Sequence, residues 1–315
     1  MFAARGIAVS FSVFVIVYCA LSVGVCLFWG RVWRQSRRYA AGRLADLLFA
    51  LRMAPFMIAA FVTAFVAVPS FLLLEPPAID EGVGMVPVIL FLFGLTLGTL
   101  GIVKLGVAAH RASRAISAWT RGAQPFQAGS FAVLRISRQV PAMAAAGIVR
   151  PRILLSGAAE SDLTSGELQA ALQHEVAHVR RRDNLKKLLL RLVTFPGMSG
   201  LEGAWMAASE MAADDSAVSN RTEALDLASA LLKLSRLTEA SPATDLTTAL
   251  LHGSAYALNA RIARLVAWNE QNNRRSRKNP MWRGLAAAVA SVACFGVTYS
   301  QLLIHMHAAM EWLVR

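Results

Sequence analysis

Acidic residues are scarce in this chain. Only 19 Asp and Glu stand against 32 Lys and Arg, and charged residues of every kind fill just 16% of 315 positions. Hydrophobic residues fill 56% and mean hydropathy is +0.49, more apolar sequence than a soluble core needs. Cysteine is also scarce. Cys19, Cys26 and Cys294 lie inside apolar runs and form no pair motif, which excludes a disulfide framework and a cysteine zinc site. They read as small packing residues. There is no internal repeat. A net charge of +13 would suggest a nucleic-acid partner in a soluble protein. Here the bases flank apolar runs and lack interleaved aromatics, so no direct nucleic-acid contact is expected.

Four apolar runs reach spanning length. The first covers residues 8–29, and Trp29, Arg31 and Trp33 stand where a signal peptide would carry small cleavage-site residues, so a retained helix is expected. The second covers 53–74 and contains Pro55 and Pro69. The third covers 84–109, where Gly94, Gly98 and Gly101 would let another helix approach closely. The fourth covers 284–304. The loop after the first run holds Arg31, Arg34, Arg37, Arg38 and Arg43, whereas the loop after the second holds Glu75, Asp80 and Glu81 and no base. Arg111, Arg114 and Arg121 follow the third run, and Arg274, Arg275, Arg277, Lys278 and Arg283 precede the fourth. The positive-inside rule then places both termini outside and the segment between the third and fourth runs in the cytoplasm. The expected protein is multi-pass in the inner (plasma) membrane.

The resulting layout is a three-helix region over 1–109, a cytoplasmic domain over 110–270, a basic linker over 271–283, and a last span with a short tail over 284–315. Within the domain, Phe131 to Ser137 and Arg152 to Leu155 read as strands. Thr164-x-x-Glu167 reads as a capping box opening a helix over 165–194 that ends at Pro196-Gly197. Further helices are expected over 200–219, 222–239 and 245–268.

That first helix carries His174-Glu175-Val176-Ala177-His178. Histidines four apart share one helical face and can converge on one metal ion. Glu175 is placed to act as general base toward a metal-activated water. Zinc suits such a site, because imidazole is a favourable ligand for it. A catalytic zinc needs a third protein ligand. Glu210 and Asp214, four apart on the next helix, offer Glu210 as that ligand and Asp214 as the group orienting a histidine, with Asp215 a rival ligand. Arg180, Arg181, Arg182 and Asp183 read either as a solvated basic face or as structural ion pairs. His305 and His307 lie at the outer end of the fourth run, as interfacial residues or as a metal or pH site.

His174 to His178, Arg182-Asp183, Glu210-Met211-Ala212-Ala213-Asp214, Leu168-x-x-x-Leu172 and Leu258-x-x-Arg261-Ile262, within a four-span layout, resemble the M56 family of membrane metallopeptidases, the family of the BlaR/MecR antibiotic-sensing transducers. The resemblance implies a mainly α membrane protein with a cytoplasmic α+β, gluzincin-like peptidase domain between helices 3 and 4. It implies His174, His178 and Glu210 as Zn2+ ligands, Glu175 as catalytic base and Asp214 as the orienting residue. It further implies a membrane-bound zinc endopeptidase that cleaves a cytoplasmic protein, such as a transcriptional repressor, or itself. No S-x-x-K motif follows the last span, so the penicillin-binding sensor of the antibiotic receptors is expected to be missing and a separate sensor protein is a possible partner. Two other expectations stay open. One is an M48-type quality-control protease, and the other a signalling scaffold whose zinc is not catalytic.

Overall fold

The computed structural model describes the chain apart from residues 1, 37–38, 77–81, 83, 129–130, 138–141, 149, 239–247, 250–254, 269–280 and 315. The first apolar run lies within α1 (Phe2–Ser36). The second lies within α2 (Ala41–Val62), which continues through a π-helical segment, Thr63–Ala67, into α3 (Val68–Leu74). The third lies within α4 (Met85–Trp119). Three stretches, Phe2–Gln35, Ala41–Leu74 and Met85–Trp119, are long and apolar enough to cross a membrane. They expose large apolar side chains such as Leu27, Leu73, Ile89 and Ile102, a surface suited to lipid rather than water. The chain therefore has the character of a membrane protein. The fourth run falls in a long terminal helix, Met281–Val314.

Sequence chemistry explains the bundle's irregularities. Pro69 has no N–H and cannot serve the carbonyl of Phe65, four residues earlier. The π-helical segment sits at this point, and the hydroxyl of Tyr299, from the terminal helix, donates to the Phe65 carbonyl at 2.9 Å. A neighbouring helix thus satisfies the freed group. A side chain at Gly94 would collide with Phe11 and Val15 of α1, and one at Gly101 with the carbonyl of Leu192. Gly98, by contrast, faces open space.

After α4 the chain turns at Gly122 (φ 78) into a five-stranded sheet of order β1-β2-β4-β3-β5. The strands are β1 (Gln124–Ala128), β2 (Phe131–Ile136), β3 (Met143–Ala146), β4 (Arg152–Ser156) and β5 (Thr248–Ala249). Only β2 and β4 pair in parallel. The β3 strand runs antiparallel to β4 and, on its other side, to β5, with Ala144 opposite Ala249 and Ala145 opposite Thr248. Helices α5 (Gly157–Asp162), α6 (Ser165–Arg181), α7 (Asp183–Leu192), α8 (Ser199–Ala217), α9 (Arg221–Thr238), α10 (Ala255–Val266) and α11 (Met281–Val314) follow. A core containing Leu155, Ala171, Leu172, Leu227 and Leu231 joins the sheet to α6 and α9.

Several boundaries differ from expectation. The helix expected over 165–194 is two helices, because Arg182 adopts a left-handed conformation (φ 54) between α6 and α7. The helix expected over 245–268 shrinks to α10, and two residues ahead of it, Thr248 and Ala249, pair as β5. The linker residues 271–280 lie outside the described residues. The second helix begins at Ala41 rather than near 53 because its first turns pack on protein. Leu44 and Leu48 are buried against Leu201 and Trp205 of α8. Buried Arg52 donates to Glu202 at 3.0 Å and to the Val193 carbonyl, while Asp46 receives Arg181 at 2.9 Å and Lys186 at 3.2 Å.

Candidate metal centre

The capping box fixes the start of α6. Thr164 Oγ1 accepts from the Glu167 amide at 3.3 Å and Glu167 accepts from the Thr164 amide at 2.8 Å. Burial works against the charged form of Glu167, but Lys233, Ser229 and the Thr164 amide outweigh it and bring the carboxyl down to about 2. Ten and fourteen residues along, helical periodicity carries the next pair inward. His174 is fully buried and His178 is 2% exposed, with their Nε2 atoms 3.2 Å apart.

What lies behind each ring decides what those nitrogens can do. His178 Nδ1 bonds Asp183 Oδ2 at 2.7 Å, and His174 Nδ1 lies 3.0 Å from Asp214 Oδ1. A carboxylate accepts and does not donate, so Asp183 favours the proton on His178 Nδ1, and Asp214 favours the same tautomer at His174, which turns each Nε2 lone pair toward the other ring. Two such nitrogens 3.2 Å apart suit a cation shared between them. Glu210 completes the group, with one oxygen 3.6 Å from His174 Nε2 and the other 3.6 Å from His178 Nε2. Ligand atoms on a tetrahedral zinc, with bonds of about 2.1 Å, sit about 3.4 Å apart. The observed spacings match, and His174, His178 and Glu210 could hold such an ion.

The same carboxylates also favour a proton on the histidine pair. Burial disfavours the imidazolium of His178, yet Glu210 and the Asp183 bond outweigh it and push the group up to about 10. Burial would likewise raise Glu210, but His178 and Arg261 hold it well below the usual carboxylate range. Asp214 behaves the same way: Arg261, with help from His174, overcomes burial and depresses it. The Arg261 guanidinium straddles both acids, donating to Asp214 at 2.9 and 2.7 Å and lying 3.0 Å from Glu210.

Glu175 points elsewhere on α6. One of its oxygens accepts from the Ala145 amide of β3 at 2.7 Å. The other is buried with no hydrogen-bond partner among the described residues, which leaves it open to a water or a substrate proton. Burial, opposed by His178 and His174, raises its carboxyl above the ordinary value, the direction a general base needs.

Residues 127–265, which contain every group named above, match the family model described as BlaR1 peptidase M56. This stretch of the chain is similar to the M56 peptidases. A search of the curated proteins finds no match.

Within the matched stretch, Asp215 pairs with Arg264 and is not among the clustered ligand atoms. Sequence reading gave no site role to Asp183, Asn184 or Arg261. Asp183 reaches His178 because the left-handed Arg182 turns the chain back beneath it, and Ser209 steadies the carboxylate with a 2.7 Å bond. Asn184 donates to the Ala145 and Gly147 carbonyls at 3.1 Å each, tying β3 to α7. The local signal for the first two was an Asp-Asn pair opening a new helix after a basic helix end. A cavity of about 390 Å³ lies beside His178, walled by Ile148, Pro151, Val179 and Leu185.

Proposed function

We propose that this protein is an integral membrane zinc endopeptidase that hydrolyses an extended segment of a cytoplasmic protein. The observation that carries the reading is the convergence of the His174 and His178 Nε2 atoms and the Glu210 carboxylate, with Glu175 beside them. On this reading α11 is a fourth span, the peptidase domain of about 110–270 hangs between α4 and α11, and both chain ends lie outside.

His174, His178 and Glu210 would hold the ion, which when bound supplies Lewis acidity toward a peptide carbonyl and a water. Asp183 and Asp214 keep the rings in the tautomer that presents Nε2. Glu175 takes the proton from the attacking water and hands it to the leaving amine. Its hydrogen bond to Ala145 fixes it against the strand along which substrate would lie. That strand, β3, pairs on its outer side with the two-residue strand Thr248–Ala249, and an extended peptide would take that strand's place. The cavity beside His178 would receive an apolar side chain. A cytoplasmic regulator, such as a repressor, fits a peptidase tethered at the inner face.

The test compares wild type with Glu175→Ala in the native host by mass spectrometry of protein termini. One or a few new termini that depend on Glu175 support a signalling endopeptidase and name its target. Many scattered ones support a quality-control role instead, and none would contradict catalysis.

A further inference from the structure

The helical bundle carries a second cluster of ligating groups, far from the candidate metal centre. Asp46, near the start of α2, contacts that domain through Arg181 and Lys186. Glu75 follows the end of α3, roughly 40 Å away at the rise of a helix. There Glu75 is 9% exposed, and the α11 residues His307 and Glu311 come to it. Glu75 Oε2 lies 3.8 Å from His307 Nδ1, and Glu311 Oε1 lies 3.6 Å from His307 Nε2. One donor atom from each of the three residues can be chosen so that all lie within 4.8 Å of one another.

We propose that Glu75, His307 and Glu311 form a second divalent-cation site at the end of the bundle remote from the peptidase. Two observations favour an ion over a closed ion-pair network. His307 Nδ1 is buried without a hydrogen-bond partner among the described residues, and its separation from Glu75 is too long for a hydrogen bond but close to that of two ligands on one metal. The carboxylates also outnumber their cations among the described residues: Arg5 neutralises one through its 2.9 Å contact with Glu75 Oε1, and the second faces His307. An imidazole with two carboxylates suits a borderline first-row ion such as zinc. Glu311 is 46% exposed at its side chain and can swing in to close the site.

The position gives the site a consequence. Ser70 Oγ already bonds the Leu303 carbonyl at 2.8 Å, and Met310 packs with Phe71 and Val9. An ion at Glu75 would fix α11, the helix that follows the domain holding the candidate metal centre, against α1 and α3. Zinc bound by the full chain in detergent micelles, measured by equilibrium dialysis and elemental analysis, provides the test. Wild type should bind one equivalent more than His307→Gln or Glu311→Gln, with at least a tenfold loss of affinity for that equivalent in each variant. Because only the difference is read, the outcome does not depend on what occupies His174 and His178. Glu311→Gln alters a half-exposed side chain and guards against misfolding of the His307 variant. Equal zinc binding in wild type and Glu311→Gln would overturn the proposal.

Discussion

Asp183 stands five residues after His178, yet its carboxylate lies 2.7 Å from the Nδ1 of that histidine. A continuous helix would carry position 183 away from position 178. The left-handed Arg182 breaks the helix and returns Asp183 beneath the ring. The contact sets the tautomer and raises the basicity of Nε2. Asp183→Asn preserves shape and removes the charge, and should weaken zinc affinity about 10- to 100-fold. Competition against a chelator of known affinity measures it, and unchanged affinity would remove Asp183 from the account.

Arg261 holds two buried acids at once. Arg261→Met leaves Asp214 and Glu210 without their shared counter-charge and should destabilise the domain by about 3–5 kcal/mol. Arg261→Lys should recover only part of this, since a point charge cannot replace the planar fork. Thermal unfolding in micelles, with and without zinc, separates the two variants. Equal stability of Arg261→Met and wild type would show that the fork is dispensable.

The His178 shift predicts opposite pH behaviour for the two metal states. Its folded value, about 10, lies above the ordinary 6.5. In the metal-free protein the resulting stabilisation is fully present below pH 6.5 and is lost as pH rises toward 10. Zinc displaces that proton, so the loaded protein should not show the loss over the same window. Zinc affinity should also rise with pH by up to about tenfold per unit. Denaturation midpoints from pH 6.5 to 10 decide the matter, and parallel curves for the two forms would refute it.

Close helix contacts make a contrasting pair of glycines. Gly101→Ala drives a methyl group into the Leu192 carbonyl, while Gly98→Ala meets open space. The first should cost about 1–3 kcal/mol through overpacking and the second almost nothing. Detergent-resistant thermal stability reads both, and an equal effect would dismiss the α4–α7 contact.

The parts legible in the sequence were those written locally. A capping box, two histidines one turn apart and acids four apart at 210 and 214 each carry their geometry in their spacing. Apolar runs announced three membrane-length helices because length and composition suffice. Other parts depended on partners distant in the chain. Arg261 meets Asp214 only after α10 folds back on α8. Strand β3 is Met-Ala-Ala-Ala, buried on both faces, so it has no alternation to read, and alanine favours helix. Strand β1 contains Pro125, tolerated because β1 is a sheet edge. Arg182 gave no warning of a left-handed turn, since glycine or asparagine normally marks one.

The central claim is that Glu175 acts on a metal held by His174, His178 and Glu210. Zinc content and proteolysis measured together, in wild type, Glu175→Ala and His178→Ala, test it most directly. The account predicts that Glu175→Ala keeps the zinc of the wild type while cleavage falls about 10²- to 10⁴-fold or further, and that His178→Ala loses both. Cleavage that survives in Glu175→Ala, or zinc that survives unchanged in His178→Ala, would contradict it.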